Sequence, residues 1–154
     1  MRGFSPILLA VAALLTVSRT APAHDWNDAA IKWQTFDEGV ALAQKEKKPI
    51  CLVVFTEWCP HCKNYAAAVF HEAKVVEQAK QFVMIHVDKD QNAAVSAKYQ
   101  PDGGYIPRTM FLKPDGTLDP DIKAPRDKYL YFYDEKDPAP LLAAMETAQK
   151  KLKP

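Results

Sequence analysis

The chain has no excess of charge of one sign. Twenty lysines and arginines stand against 19 aspartates and glutamates in 154 residues, which gives no basic field for a nucleic acid or an anionic membrane. It lacks the length for two comfortable cores, so a single domain is expected. Internal repeats and low-complexity tracts are missing after the first two dozen residues. Cysteine is scarce, at three residues, and an odd count leaves at least one of them free or specialised. What remains is ordinary: 48% hydrophobic and 25% charged residues place the chain in the soluble globular class.

The first residues are a separate matter. Arg2 precedes an apolar run from Ile7 to Val17, and Ala21-Pro22-Ala23 follows as an A-x-A pattern. This is the layout of a secretory signal peptide over residues 1–23, with cleavage expected after Ala23 and the folded domain over 24–154. As a helix the run reaches only about 16 Å, against about 30 Å of hydrocarbon, so no stable membrane span is expected after cleavage. Arg19 is an unusual charge so near the cleavage region. Removal of residues 1–23 leaves 18 basic and 19 acidic residues. Export exposes the remaining thiols to oxidants, where cysteine pairs form disulfides.

Along the rest of the chain the pattern alternates. A short first strand is expected around Ile31–Trp33. Thr35-Phe36-Asp37-Glu38 reads as a capping box, with the Thr35 hydroxyl accepting from the Glu38 amide, and opens a helix that runs to about Lys47 and is ended by Pro49. Ile50–Phe55 is an almost continuous apolar run, as in a strand covered on both faces. Helical spacing continues through Ala66, Val69 and Phe70, then over Glu72–Lys80. Phe82–Val87 reads as a strand and Gln91–Tyr99 as a helix, broken by Pro101-Asp102-Gly103-Gly104. Thr109–Leu112 and a strand starting near Thr117 flank the turn Lys113-Pro114-Asp115-Gly116. A loop over Asp119–Lys128 and an aromatic segment, Tyr129–Tyr133, follow. Asp137-Pro138 starts a last helix whose buried face is Leu141, Met145, Ala148 and Leu152. The fold class is therefore α/β: a central mixed sheet with helices on both faces, parallel first and antiparallel at the end.

Trp58-Cys59-Pro60-His61-Cys62-Lys63 stands between the buried strand and a helix. Two cysteines three apart on a first helical turn can close a disulfide without backbone movement. Unpaired N–H groups and the macrodipole favour a thiolate at the first sulfur, and thiolate is the attacking species. Cys59 is expected to be the exposed nucleophile and Cys62 the resolving thiol. Pro60 fixes φ at the helix start. A protonated His61 favours the Cys59 thiolate and makes the disulfide more oxidising, at about 30 mV for each 1.4 kcal/mol. A zinc site wants four ligands, usually two spaced pairs, and here only Cys51 and scattered histidines remain to complete one. No metal and no cofactor beyond the Cys59–Cys62 disulfide is expected. Ile106-Pro107 is the second feature, an X-Pro between a Gly-Gly-Tyr turn and an apolar strand, where either a cis peptide or an ordinary trans edge-strand proline fits.

Taken together, the order of elements, the Trp-Cys-x-x-Cys junction and an X-Pro 45 residues after Cys62 resemble the thioredoxin superfamily over about Lys32 to Leu152. The Cys59-Pro60-His61-Cys62 tetrapeptide is similar to that of periplasmic disulfide-donating enzymes. The body is similar to small anterior-gradient proteins, with matching segments at Tyr105-Ile106-Pro107-Arg108 and Tyr131-Phe132-Tyr133. The resemblance implies a thioredoxin-like fold with Pro107 as a cis-proline facing the disulfide and Ile106 offering its backbone to an extended substrate. Trp58 would flank the same substrate, an exported protein carrying thiols or disulfides, and a separate redox partner would recharge the pair. Departures exist: the buried acid that many relatives carry six residues before the first cysteine is Val53 here, and Glu57 is expected to face solvent. No large helical insertion is visible. The end, Lys151-Leu152-Lys153-Pro154, carries no ER-retention tetrapeptide, which favours a periplasm over an ER lumen, with secretion as a further alternative.

Two other classes stay open on the residues alone. Soft thiolates suit Cu(I), so the cysteines with His61 or His86 could carry copper, although no methionine-rich or second cysteine motif supports it. A redox-inert binding module is the other, for which neither cysteine would be needed. Cys51 is read as a buried small hydrophobe, His86 as a satisfied sheet histidine, and at least half of Tyr129, Tyr131, Phe132 and Tyr133 as packing against the last helix.

Overall fold

Ile50–Phe55 carries six consecutive side chains that all avoid water, so the strand they form needs partners on both edges and cover on both faces. A computed structural model, which describes residues 24–152, supplies all four. The sequence-based expectation for residues 1–23 lies outside the described residues. In chain order the elements are β1 (Trp33–Gln34), α1 (Phe36–Glu46), β2 (Ile50–Phe55), α2 (Pro60–Val69) and α3 (Ala73–Ala79), then β3 (Val83–Asp88), α4 (Ala93–Lys98), β4 (Arg108–Leu112) and α5 (Ala139–Leu152). The sheet order is β1-β3-β2-β4. β3 runs parallel to β2, with Ile50 opposite Val83, and β4 runs antiparallel, with Ile50 opposite Leu112. The mixed α/β sheet is the expected one.

Alternation along β2 divides the core. Cys51, Val53 and Phe55 join Tyr65, Ala66, Val69, Val75, Leu141 and Met145 on the face covered by α2, α3 and α5. Ile50, Leu52 and Val54 join Ala43, Ile85, Tyr99 and Met110 on the face covered by α1 and α4. Helices therefore lie on both faces, and Leu141, Met145, Ala148 and Leu152 are all buried on α5.

Several boundaries differ from the sequence pattern, each for a local reason. The first strand falls two residues late, at Trp33–Gln34. Thr35 caps α1 without a side-chain bond to the backbone; its hydroxyl instead donates to Glu38 Oε2 at 2.7 Å. Helix α1 stops at Lys47, whose φ of 54° is left-handed, so the break precedes Pro49. The strand expected near Thr117 shrinks to one bridge between Leu112 and Leu118. Gly116 (φ 84°) makes the turn, and beyond Leu118 the next donor, the Asp121 N–H, turns back to Asp119 Oδ1 at 3.0 Å instead of extending the pairing. Of the aromatic segment, Tyr133 packs with α5 in one core, whereas Tyr131 crosses to the other and Tyr129 stays 56% exposed.

Gly39 marks the tightest approach of α1 to the sheet: a Cβ there would overlap Cγ1 and Cδ1 of Ile85, which is fully buried on β3. Alanine gains about 1 kcal/mol of helix propensity over glycine, but overpacking a filled core costs about 1–3 kcal/mol. Gly39→Ala is therefore expected to lower the urea midpoint at unchanged m-value, and a midpoint equal to or above wild type would show that α1 shifts freely on the sheet.

Candidate functional site

β2 delivers the chain to the top of the sheet, where Thr56, Glu57 and Trp58 lead into α2. Cys59 is the N-cap residue of α2 (φ −81°, ψ 115°), and Pro60 occupies the first helical turn. The Cys59 sulfur accepts the Cys62 N–H at 3.2 Å, filling the role that an N-cap oxygen usually plays. All three cysteines are thiols in this structure.

Burial distinguishes the thiols. Cys62 is fully enclosed, and burial pushes its thiol far up, aided by its hydrogen bond to the Cys59 side chain. Cys51 is likewise enclosed and its thiol is pushed up by burial alone, as expected of a small hydrophobe. Cys59 departs from expectation: it is only 3% exposed. Its sulfur turns back over the helix start, and the exposed positions around it are Trp58, at 69%, with Pro60 and His61.

Those exposed residues are tied down by partners far away in sequence. Trp58 donates from Nε1 to Asp90 Oδ2 at 2.7 Å. His61 Nδ1 lies 2.6 Å from Glu135 Oε2, and Asn64 Nδ2 donates to Glu135 Oε1 at 3.0 Å. The His61 ring also meets the edge of Phe132, with centroids 5.9 Å apart. Behind the helix, the Tyr65 hydroxyl bonds Thr109 Oγ1 at 2.9 Å and joins α2 to β4. The buried His24 ring reaches the Thr56 carbonyl at 2.9 Å, the same carbonyl that accepts the Cys59 N–H.

Ile106-Pro107 is a cis peptide bond. Pro107 is buried, and half-buried Ile106 packs against the core cluster that holds Cys59 and Cys62. The next residue, Arg108, is fully buried and faces the opposite core. Its guanidinium donates to the carbonyls of Tyr99 (3.1 Å), Ser96 (3.2 Å) and Tyr105 and to the Ser96 hydroxyl (2.8 Å). Tyr105 in turn donates to Asp102 and accepts the Tyr131 N–H at 3.0 Å. An arginine opening a strand that is otherwise apolar was the only sequence signal of this network. Glu135, Asn64 and Asp90 gave none, because each meets its partner across 32 to 74 residues of chain.

This junction, an N-capping cysteine with its partner one turn inside and a cis X-Pro at the head of an antiparallel strand, sits on a β1-β3-β2-β4 sheet. A family model described as thioredoxin-like matches residues 32–114. The chain belongs to the thioredoxin-like family. Among its relatives is human anterior gradient protein 2 homolog, 30% identical over 128 residues that cover 83% of this chain and 71% of the relative. Human anterior gradient protein 3 is 32% identical over 127 residues, covering 80% and 73%. Of solved structures, a thioredoxin from Thermus thermophilus superposes with a TM-score of 0.60 at 20% identity, over 77% of this chain and 86% of its own. A structure titled DsbH oxidoreductase gives 0.58 at 17% identity, over 92% and 96%. At those identities the two structures speak for the thioredoxin-like fold.

Other expected residues fall outside the junction. Val53 takes its place in the core beside the cysteines. Glu57 is half-buried, and lines with Phe55, His86 and Asp88 an open cleft of about 340 Å³. Among the described residues, no cluster of three or more His, Cys, Asp or Glu side chains is arranged to hold a metal ion. No described helix is long and apolar enough to cross a membrane. His86 stacks on Trp33 at 5.0 Å, but its buried Nδ1 finds no hydrogen-bond partner among the described residues, so it is packed without being satisfied.

Burial holds the His86 imidazole below its ordinary value of 6.5, with Asp28 opposing weakly. The unfolded chain therefore takes up a proton near pH 6.5 that the folded chain refuses, so stability falls as pH drops from about 7 towards 5. His86→Phe keeps the stacking and removes the proton. Urea midpoints measured at pH 7 and pH 5 should differ less in this variant than in wild type, and an equal difference would place the acid sensitivity elsewhere.

Proposed function

We propose that the protein is an exported thiol–disulfide oxidoreductase that exchanges disulfides with other exported proteins through Cys59 and Cys62. The observation that carries this reading is the N-cap geometry. The Cys59 sulfur accepts a backbone N–H at the start of α2, the end of a helix that favours negative charge, while its partner one turn inside is kept as a buried thiol. Membership of the thioredoxin-like family supports the same reading.

In the donating direction a substrate thiolate attacks the Cys59 sulfur of the Cys59–Cys62 disulfide, and Cys62 leaves as the thiolate and takes up a proton. A second substrate thiolate then displaces Cys59 from the mixed disulfide, so that two electrons pass from substrate to protein. The reducing direction runs the same steps backwards. Pro60 starts the helix in the required φ, and His61 adds positive charge near Cys59 when protonated. Trp58 and Ile106 flank the sulfur as the substrate-contacting surface, with Pro107 setting the direction in which Ile106 presents its backbone. Because Cys59 is almost covered, the substrate segment has to approach closely over the start of α2 to reach it. Export rests on the leader pattern of residues 1–23, with the periplasm as the compartment and an exported or membrane-fed redox protein as the recharging partner.

The test is equilibration of the purified protein with glutathione buffers, paired with a Cys62→Ala trap. The pair should titrate as a two-electron couple, near about −120 mV for a disulfide donor or near about −270 mV for a reductant. Cys62→Ala should accumulate mixed disulfides with proteins of its compartment. A pair that never titrates, together with an empty trap, would sink the exchange reading.

A further inference from the structure

Glu135 stands 74 residues beyond His61, yet its carboxylate closes over the first turn of α2. Oε2 meets His61 Nδ1 at 2.6 Å and Oε1 accepts from Asn64 at 3.0 Å, so both oxygens are engaged. The Glu135 side chain is 17% exposed, whereas His61 is 61% exposed. The segment that carries Glu135 is built to hold it there. Tyr133 anchors it in the core, and Asp134 Oδ1 accepts the N–H groups of Lys136 (2.8 Å) and Asp137 (3.0 Å). Phe132 rests its edge against the imidazole, while Arg126 lies 4.9 Å from the Phe132 ring centre and donates to the Phe132 carbonyl at 2.8 Å.

The chemistry of this clasp is directional. A carboxylate only accepts, so the proton of the bond lies on His61 Nδ1, and Nε2 is the ring atom left to gain or lose one. An anion against one ring nitrogen interacts more favourably with a cationic ring than with a neutral one, and a neutral amide in its place does so less. Resting on the exchange reading above, we infer that Glu135 is a positioning residue for the redox pair. It fixes the orientation and proton of His61, and through His61 it stabilises the Cys59 thiolate and makes the disulfide more oxidising. Asn64 holds the second carboxylate oxygen and keeps the clasp in register with α2.

A double-mutant cycle on the glutathione equilibrium tests this. Glu135→Gln keeps an acceptor for Nδ1 and removes the charge. It should lower the equilibrium constant for oxidation of glutathione by about threefold, the scale of an exposed ion pair, with the thermal midpoint little changed. In a His61→Gln background the same substitution should have no effect on that constant. An unchanged constant in the single variant overturns the inference. So does a shift of opposite sign, or one that survives without His61, because the carboxylate would then act on Cys59 through its own charge. A wild-type pair that fails to equilibrate with glutathione defeats the exchange reading first, and this inference with it.

Discussion

Placing β2 where water cannot reach it on either face or either edge constrains nearly everything else in the molecule. Its six residues are buried without exception, with β3 on one side and β4 on the other. A strand so enclosed has its backbone groups paired along both edges, because an orphaned buried N–H or carbonyl costs about 1–3 kcal/mol. The first place where the chain escapes that requirement is its C-terminal end. There the carbonyl of Thr56 accepts from both Cys59 and His24, and helix α2 begins. The cysteine pair therefore sits at the point where this enclosed strand hands the backbone to a helix whose first N–H groups have no partner within the helix.

A second constraint acts from the other edge. Arg108 places a guanidinium in the core with four acceptors and, among the described residues, no ion pair; burial holds its pKa below the usual arginine value, with Tyr105 and Asp102 opposing. Such a charge is tolerable only when its donors are satisfied, and the acceptors are three backbone carbonyls and one hydroxyl from the end of α4 and the turn before Ile106. The arrangement welds the 96–105 stretch to β4. Tyr105 extends it through Asp102 to the N–H of Leu130, and through its own hydroxyl to the N–H of Tyr131. The backbone leading into Ile106 is thus held by hydrogen bonds on the far side of the sheet, in a core that the cysteines do not share.

The parts of this structure that were legible in the sequence are the parts set by local chemistry. A six-residue apolar run, a Pro in the first turn after a cysteine, and the four-residue spacing of Leu141, Met145 and the positions beyond each act within a few residues, and each stands where its pattern put it. Cys59 is less exposed than its place at a helix start suggests, because the Cys62 N–H, which has no partner within the helix, holds the sulfur inward. The hairpin is shorter than its turn residues suggest because the Asp121 N–H, the next donor toward β4, turns back to Asp119 Oδ1. Glu135, Asp90 and Asn64 were invisible for a different reason: a single polar residue at the surface, in a loop or on a helix, has no pattern until the fold brings its partner to it.

Val53 gives the site its remaining asymmetry. With an aliphatic side chain in the core beside the cysteines, no carboxylate enters the sheet at that position to take a proton from Cys62. Burial keeps that thiol protonated, and the rate of thiol–disulfide exchange follows the thiolate fraction of the attacking sulfur. Under the proposed exchange, attack by Cys62 on a mixed disulfide is then slow compared with attack by an incoming substrate thiolate on Cys59. The Cys62 thiol hydrogen-bonds the Cys59 sulfur and the backbone of Thr56, the two neighbours closest to its proton. A buried acid would speed the loss of that proton, but it would also add a desolvated charge beside the pair. Valine trades speed in one direction for a core that stays neutral. The electrostatic control of the couple therefore falls to groups at the rim of the site, where His61, Glu135 and Asn64 stand.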